Sequence, residues 1–215
     1  MLKWILMEVI AMDALTNSHP NLTVLLIEDR PNDQSELKHH LIHLNYTISL
    51  HIDTQQAISS TCTDTVADIM VINTHTPSDR ILKELTNIDK LTPLPVLVFA
   101  KQDAREMIQS TLKAGVSAYI VGEIQESRLT CLIDVAIERF KQRQSLIAEL
   151  KKTKAQLADR KTVEKAKGYI MQEKQVTEQQ AFTLLRNMAM NNGQSLATVA
   201  KSVIEVTELL EHKVK

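Results

Sequence analysis

Four cations, Arg160, Lys161, Lys165 and Lys167, fall within about two helical turns, and Lys174 follows at the next flank. Side-chain donors at this density suit phosphates, whose condensed counterions are released on binding. Lys161 and Lys165 are spaced i, i+4 and so share a helix face. Gly168 costs about 1 kcal/mol against alanine in a helix interior, which implies close approach by a nucleotide or a second helix. Ala166 leaves room for a base or a packed neighbour. Tyr169 is placed to stack on an unpaired base, worth about 1–3 kcal/mol in single-strand binders. An aromatic at helical spacing also belongs in a core, so both readings stand. Further on, Arg186 and Asn187 suit a phosphate and a base edge, with an internal salt bridge as the other reading of Arg186. Met171, Phe182, Leu185 and Met188 are expected mostly in the core.

These residues need helices to carry them. From Gln125 to Met171 the chain has no proline and is rich in strong helix formers, so one helix of about 46 residues, roughly 70 Å long, is predicted. A helix of that length needs a partner. Phe140, Ile147, Leu150 and Leu157 recur at intervals of seven and three, a heptad seam that favours a parallel dimer, although Arg143 and Lys154 share it. The other reading folds this seam back onto the preceding domain. Thr177 with Gln180 three residues later forms a capping box for a second helix, which ends at Asn191-Asn192-Gly193. Ser195 caps a third helix, Leu196–Leu210, whose apolar residues lie mostly on one stripe.

The front of the chain has a different rhythm. Apolar runs at Val24–Ile27, Ile48–Ile52, Ile69–Ile72, Val96–Phe99 and Ala118–Val121 alternate with helical patterns around Asp33–Leu44, Gln55–Ser60, Asp79–Ile88 and Ala104–Ala114. Four of the five runs lack polar alternation, which indicates parallel strands buried on both faces. The expected fold is a doubly wound α/β domain with a five-stranded parallel sheet, its ligand site at the carboxyl ends of the strands. The expected organisation is an N-terminal extension over 1–20, this domain over 21–124, a helical coiled-coil linker over 125–159 and a small three-helix unit over 160–215.

Charge follows the same division. Residues 1–150 carry 13 Lys and Arg against 19 Asp and Glu, a balance of −6; residues 151–215 carry 12 against 7, a balance of +5. Only the tail is suited to a polyanion. Cys62 and Cys131 have no metal-like spacing and no signal peptide precedes them, so reduced thiols and a cytoplasmic location are expected. Leu2–Met12 is too short to span a bilayer. His39 and His43 share a helix face, but no Cys or Glu completes a site in sequence, and no metal is expected there. No Walker loop, Gly-x-Gly-x-x-Gly or Ser-His-Asp order occurs among only 4 glycines, so the chain is not expected to be an enzyme.

The tail resembles the ANTAR domain of bacterial transcription antiterminators. Ala166, Lys167, Gly168 and Met171 match its Ala-Lys-Gly-x-x-Met core. Ala181, Phe182, Leu185, Arg186 and Ala189 match its second helix, and Leu196, Val199 and Ala200 its third. The front resembles the receiver domain of two-component response regulators, with Glu28-Asp29 where that family places paired magnesium-binding carboxylates. Asn73 stands where the family has its phosphate-accepting aspartate, and an amide cannot act as that nucleophile. Ala100 replaces the switch Ser/Thr and Val121-Gly122 the lysine, while Pro77, Ala114, Gly115 and Tyr119 persist. A pseudo-receiver is expected, with no phosphoacceptor, a residual acidic pocket at Glu28 and Asp29, and Mg²⁺ there in doubt.

Lys113–Val121, Ala155–Lys161 and Ala189-Met190 bring the amide- and nitrate-responsive antiterminators closest. That resemblance implies a dimer reading two adjacent stem-loops in an mRNA leader, released from an inhibitory ligand-sensing partner. Alanine at both Lys165 and Lys167 is then expected to weaken RNA binding and leave helicity intact. Two rivals remain at this point. One is a phosphorylation-dependent, DNA-binding response regulator; the other is a protein-interaction adaptor whose basic tail never meets nucleic acid.

Overall fold

The computed structural model describes residues 22–32, 34–56, 58 and 65–213, with side chains to residue 209. The expected extension over 1–20, Cys62 and most of the helix expected over Gln55–Ser60 lie outside the described residues. The elements are β1 (Thr23–Glu28), α1 (Glu36–His43), β2 (Thr47–Asp53), β3 (Ile69–Thr74), α2 (Asp79–Leu91), β4 (Val96–Ala100), α3 (Arg105–Lys113), β5 (Ala118–Val121), α4 (Glu126–Lys174), α5 (Glu178–Asn192) and α6 (Leu196–Lys213). The chain divides into two compact units, 1–143 and 144–215.

In the front unit the five strands are all parallel, in the order β2-β1-β3-β4-β5. This is the flavodoxin-like order of a doubly wound sheet. Strand alternation sends successive residues to opposite faces. Leu25 and Ile27 of β1 join the core under α2 and α3, with Ile81, Leu85, Ile88 and Ala114. Val24 and Leu26 join the other core, with Leu37 and Leu41 of α1 and Leu129, Ile133 and Ala136 of α4. Both faces are covered, which is why the runs read as continuously apolar.

The expected linker begins at 125, within the first of the two units. The first turns of α4 pack on the sheet as a further helical cover, and the division falls between 143 and 144. Two polar ties reinforce that packing. His43 Nδ1 and His40 Nδ1 lie 2.5 Å and 2.7 Å from the two carboxylate oxygens of Glu126, joining α1 to the first residue of α4. The His43 hydrogen bond, with His40 behind it, holds the Glu126 carboxyl below its ordinary range. At the other end of this stretch the Arg143 guanidinium grips Asp89 of α2 with both terminal nitrogens, Nη1 to Oδ2 at 3.2 Å. Gly115 makes room for Asp89: its φ is +103°, and a Cβ would lie 2.7 Å from Asp89 Cγ. A side chain there would clash as well as strain the backbone.

The first residue of the expected dimer seam lies in this packed stretch. Phe140 is half-buried and lies under Arg143, 5.9 Å from ring centroid to guanidinium. Beyond it Ile147, Leu150 and Leu157 are exposed, with Leu146 beside them. Among the described residues no helix is long and apolar enough to cross a membrane.

Candidate nucleic-acid interface and the residual acidic pocket

The tail unit is built on small residues. Ala166, Ala181, Ala189 and Ala200 sit with Ile170, Leu185, Val199 and Ile204 in one core shared by the end of α4, α5 and α6. Alanine at these positions lets helix axes approach closely. Thr177 and Gln180 form the expected capping box, Gly193 closes α5 in the left-handed conformation, and Ser195 Oγ accepts the Thr198 amide at 3.1 Å. The start and stop signals of these two helices were legible in sequence.

The basic cluster is not one face. Residues two apart on a helix are separated by about 200°. Lys165 points towards α6 and Lys167 towards α5, on opposite flanks of the buried Ala166. Lys167 Nζ lies 2.8 Å from Glu164 and 2.7 Å from Glu178 of α5, and its side chain is only 8% exposed. These carboxylates, Glu164 first, raise the Lys167 pKa, and Lys167 in turn lowers that of Glu178. One cation is thus shared by two carboxylates. Lys167, expected as an RNA contact, ties the end of α4 to α5 through carboxylates in this structure. Ala166, likewise expected as an RNA contact, is fully buried and faces neighbouring helices.

Lys165 is different. It is half-exposed, its Nζ lies 2.6 Å from Glu208 of α6, and it sits 5.6 Å from the Tyr169 ring centroid. The hydrogen bond from Lys165 to Glu208 raises the lysine's pKa. Tyr169 is itself half-buried against the core, so the packing reading holds for part of its ring. Arg160, Lys161, Lys174, Arg186 and Asn187 are all exposed. Among the described residues none of these forms an ion pair, so the internal salt bridge considered for Arg186 is not made. Gly168 is exposed with nothing within 4 Å of a Cβ built on it, so neighbouring helices do not account for it. Leu185 is buried, but Met171, Phe182 and Met188 are exposed rather than in the core. The carboxylates Glu178 and Glu208 escaped the sequence reading because they lie 11 and 43 residues from their lysines. Only Glu164, at i, i+3 from Lys167, carried a local signal.

In the front unit Glu28 and Asn73 are paired in register on neighbouring strands, at the carboxyl end where a ligand site belongs. Glu28 is 5% exposed and both its oxygens are engaged. Asn73 Nδ2 donates to Oε1 and His51 Nε2 to Oε2, each at 2.8 Å. Asp29 Oδ1 accepts from Thr54 Oγ1 at 3.1 Å and Thr74 Oγ1 at 2.8 Å, and Oδ2 accepts the His75 amide at 2.7 Å. All four carboxylate oxygens are thus committed to protein donors. The donor set does not fit Mg²⁺, which needs free oxygens and would have to break this network. Asn73 turns its amide nitrogen, a donor with no affinity for cations, towards Glu28. Among the described residues no group of three or more His, Cys, Asp or Glu is arranged to hold a metal. His51, Thr54 and Thr74 were missed in sequence because nothing local marks a residue that faces a neighbouring strand's end. Tyr119 donates its hydroxyl to Gln102 O at 2.9 Å, tying β5 to the loop after β4.

Residues 151–204 match the family model of the ANTAR domain. The chain is 27% identical over 138 residues to the transcriptional regulatory protein PdtaR of Mycobacterium tuberculosis, covering 64% of this chain and 67% of the relative. Among solved structures it is similar to a signal receiver domain of a modulated diguanylate cyclase from Desulfovibrio desulfuricans (18% identity, 57% of this chain, 98% of that one, TM-score 0.49). A two-component response regulator from Clostridium difficile is similar at 18% identity, over 55% of this chain and 97% of that one, with a TM-score of 0.47. The receiver-like reading of the front stands on the strand order of its own sheet. Residues 151–204 are thus similar to the ANTAR domain and follow an α/β unit of receiver-like strand order.

Proposed function

We propose that this chain is an RNA-binding transcription antiterminator, not an enzyme, acting in the cytoplasm on tandem stem-loops of mRNA leaders. The observation that carries this reading is the ANTAR match over 151–204 on a unit whose surface presents Arg160, Lys161, Lys174 and Arg186 with Asn187. Phosphates meet the cations, and unpaired loop bases offer edges to Asn187 and a ring to the accessible part of Tyr169. Two hairpins held by two protomers keep a leader from folding into a terminator. Linking two weak sites raises avidity through effective concentration, and the exposed Ile147, Leu150 and Leu157 supply the apolar seam for a homodimer.

Control in this proposal is by sequestration on a ligand-sensing inhibitory protein, without aspartyl phosphate or Mg²⁺. Asn73 cannot accept a phosphoryl group, and the carboxylates beside it are already hydrogen-bonded. The pathway is nitrate and nitrite assimilation, as for the regulator NasT, which the chain resembles together with the amide-responsive AmiR type. The test is a gel shift with a two-hairpin leader RNA against a scrambled control at low salt, paired with a mass measurement after acetyl phosphate and Mg²⁺. Selective shift of the leader with no added phosphate supports the proposal. Equal failure on both RNAs, or a stable phospho-adduct on residues 1–143, overturns it.

A further inference from the structure

Resting on the RNA-binding reading, we propose that Glu208 is an internal anion that occupies Lys165 and must be displaced before RNA can bind that flank. Lys165 and Lys167 differ in how firmly they are held. Lys167 is enclosed and shared by two carboxylates, whereas Lys165 and Glu208 are 54% and 46% exposed. An ion pair open to water on both sides exchanges partners readily. A phosphate arriving beside Lys161 finds Lys165 on the same face, already oriented by the Tyr169 ring.

The position of Glu208 makes its release practicable. Among the residues of α6 with described side chains, which end at Leu209, Ile204 is the last in the buried core, and Val206 and Leu209 are 57% and 65% exposed. Beyond Ile204 the Lys165–Glu208 pair is a solvent-open polar tie from α6 to α4. A single carboxylate competes poorly with a hairpin that is already anchored elsewhere and presents several phosphates at high effective concentration. An isolated phosphate gains no such advantage. Glu208 in this role weakens non-specific capture of polyanions and leaves binding to RNAs that engage the whole face.

The experiment is a fluorescence-anisotropy titration of the full chain with two-hairpin leader RNA and a scrambled RNA over a potassium chloride series. Its variants are E208Q, K165A, the double variant and E205Q, which removes a neighbouring exposed carboxylate not paired with Lys165. E208Q is expected to bind both RNAs roughly two- to fivefold more tightly, the scale of an exposed ion pair that need not be broken. Its salt dependence steepens by about 0.7–0.9 in log–log slope, one cation newly open to phosphate. E205Q gains less, and K165A abolishes the gain of E208Q. Acylation of Lys165, read by mass spectrometry without RNA, rises in E208Q. An E208Q affinity no greater than that of E205Q, or a gain that survives K165A, overturns the gate while leaving RNA binding in place. Failure of the wild type and of E208Q to bind any hairpin at low salt overturns the RNA reading and the gate together.

Discussion

The acidic pocket of the front unit and the basic flanks of the tail unit are both charge clusters on a ligand-bearing scaffold, and the fold treats them oppositely. In the front, every oxygen of Glu28 and Asp29 receives a hydrogen bond from His51, Asn73, Thr54, Thr74 or the His75 amide. In the tail, Lys165 and Lys167 are the members of the basic cluster paired with carboxylates among the described residues, and Arg160, Lys161, Lys174 and Arg186 stay exposed. The difference follows from burial. A charge inside a sheet end must find partners or lose its hydration at great cost, whereas a charge on a helix surface keeps water and remains available. A family motif therefore marks where a ligand site was or is, and satisfaction of the polar atoms decides whether it still has capacity.

The largest effect expected from contrasting the units concerns their cores. Leu97→Ala in β4 and Leu185→Ala in α5 each remove a side chain with no exposure, at about 2–5 kcal/mol. Among the described residues the tail core is one cluster of eight buried apolar residues, too small to absorb that loss. Circular dichroism should show the helices of residues 144–215 melting out in L185A, with the front unit still cooperative. Comparable melting in both variants would mean that the units are equally robust.

Next in size is Asn73→Asp. It replaces a donor 2.8 Å from Glu28 by a second carboxylate, and a lost buried hydrogen bond plus like-charge repulsion is expected to cost about 1–3 kcal/mol at neutral pH. The loss should shrink as the pH falls and one carboxyl takes a proton. An unchanged melting temperature, or a gain with added Mg²⁺, would show the pocket to be more open than its hydrogen bonds indicate.

On the tail, Arg160→Ala with Lys174→Ala should leave stability unchanged and flatten the salt dependence of hairpin binding by about 0.7–0.9 for each phosphate no longer neutralised. Lys167→Ala should instead lower the melting temperature of the tail. A double replacement of Lys165 and Lys167 is for this reason no clean probe of phosphate binding. If K167A melts like the wild type, the tie from Lys167 to Glu178 adds nothing to stability.

The smallest effects come from one matched pair, Glu126→Gln in front and Glu178→Gln in the tail. Both carboxyls are held below their ordinary range, Glu126 by His43 and then His40, Glu178 by Lys167. A depressed carboxyl contributes stability above its unfolded pKa, of about 4.3, and loses it as pH falls through the lower folded value. Each variant should melt slightly below the wild type at neutral pH and converge with it in acid. For Glu178 the contribution also fades at the alkaline end, as pH rises through the raised pKa of Lys167. Curves that stay parallel at low pH would assign these residues a packing role only.

Much of the architecture was legible because it is written in short-range patterns. The five strands appear as apolar runs because both faces of the sheet are covered, and α5 announces itself through Thr177, Gln180 and Gly193. The extent of α4 follows from an unbroken run of helix formers. The boundary at residue 143 was not legible, since a helix with continuous propensity gives no sign of where its packing partner changes. Residues from Gln144 on read like those before it; only the packing of Leu129 and Ile133 and the Arg143–Asp89 pair separate them.

The candidate site divides along the same line. Residue types alone determined that the tail is basic, that position 73 carries an amide and not a carboxylate, and that an ANTAR-like motif is present, because these depend on chemistry carried by single side chains and local spacing. Tertiary structure decided which charges remain available. Lys165 and Lys167 are two residues apart yet face different helices, and their distant carboxylates arrive from α6 and α5. Whether Glu28 has an oxygen to spare depends on His51 and Asn73 meeting it across neighbouring strands. Charge is local, but its neutralisation is set by groups distant in the chain, and only the folded packing brings those together.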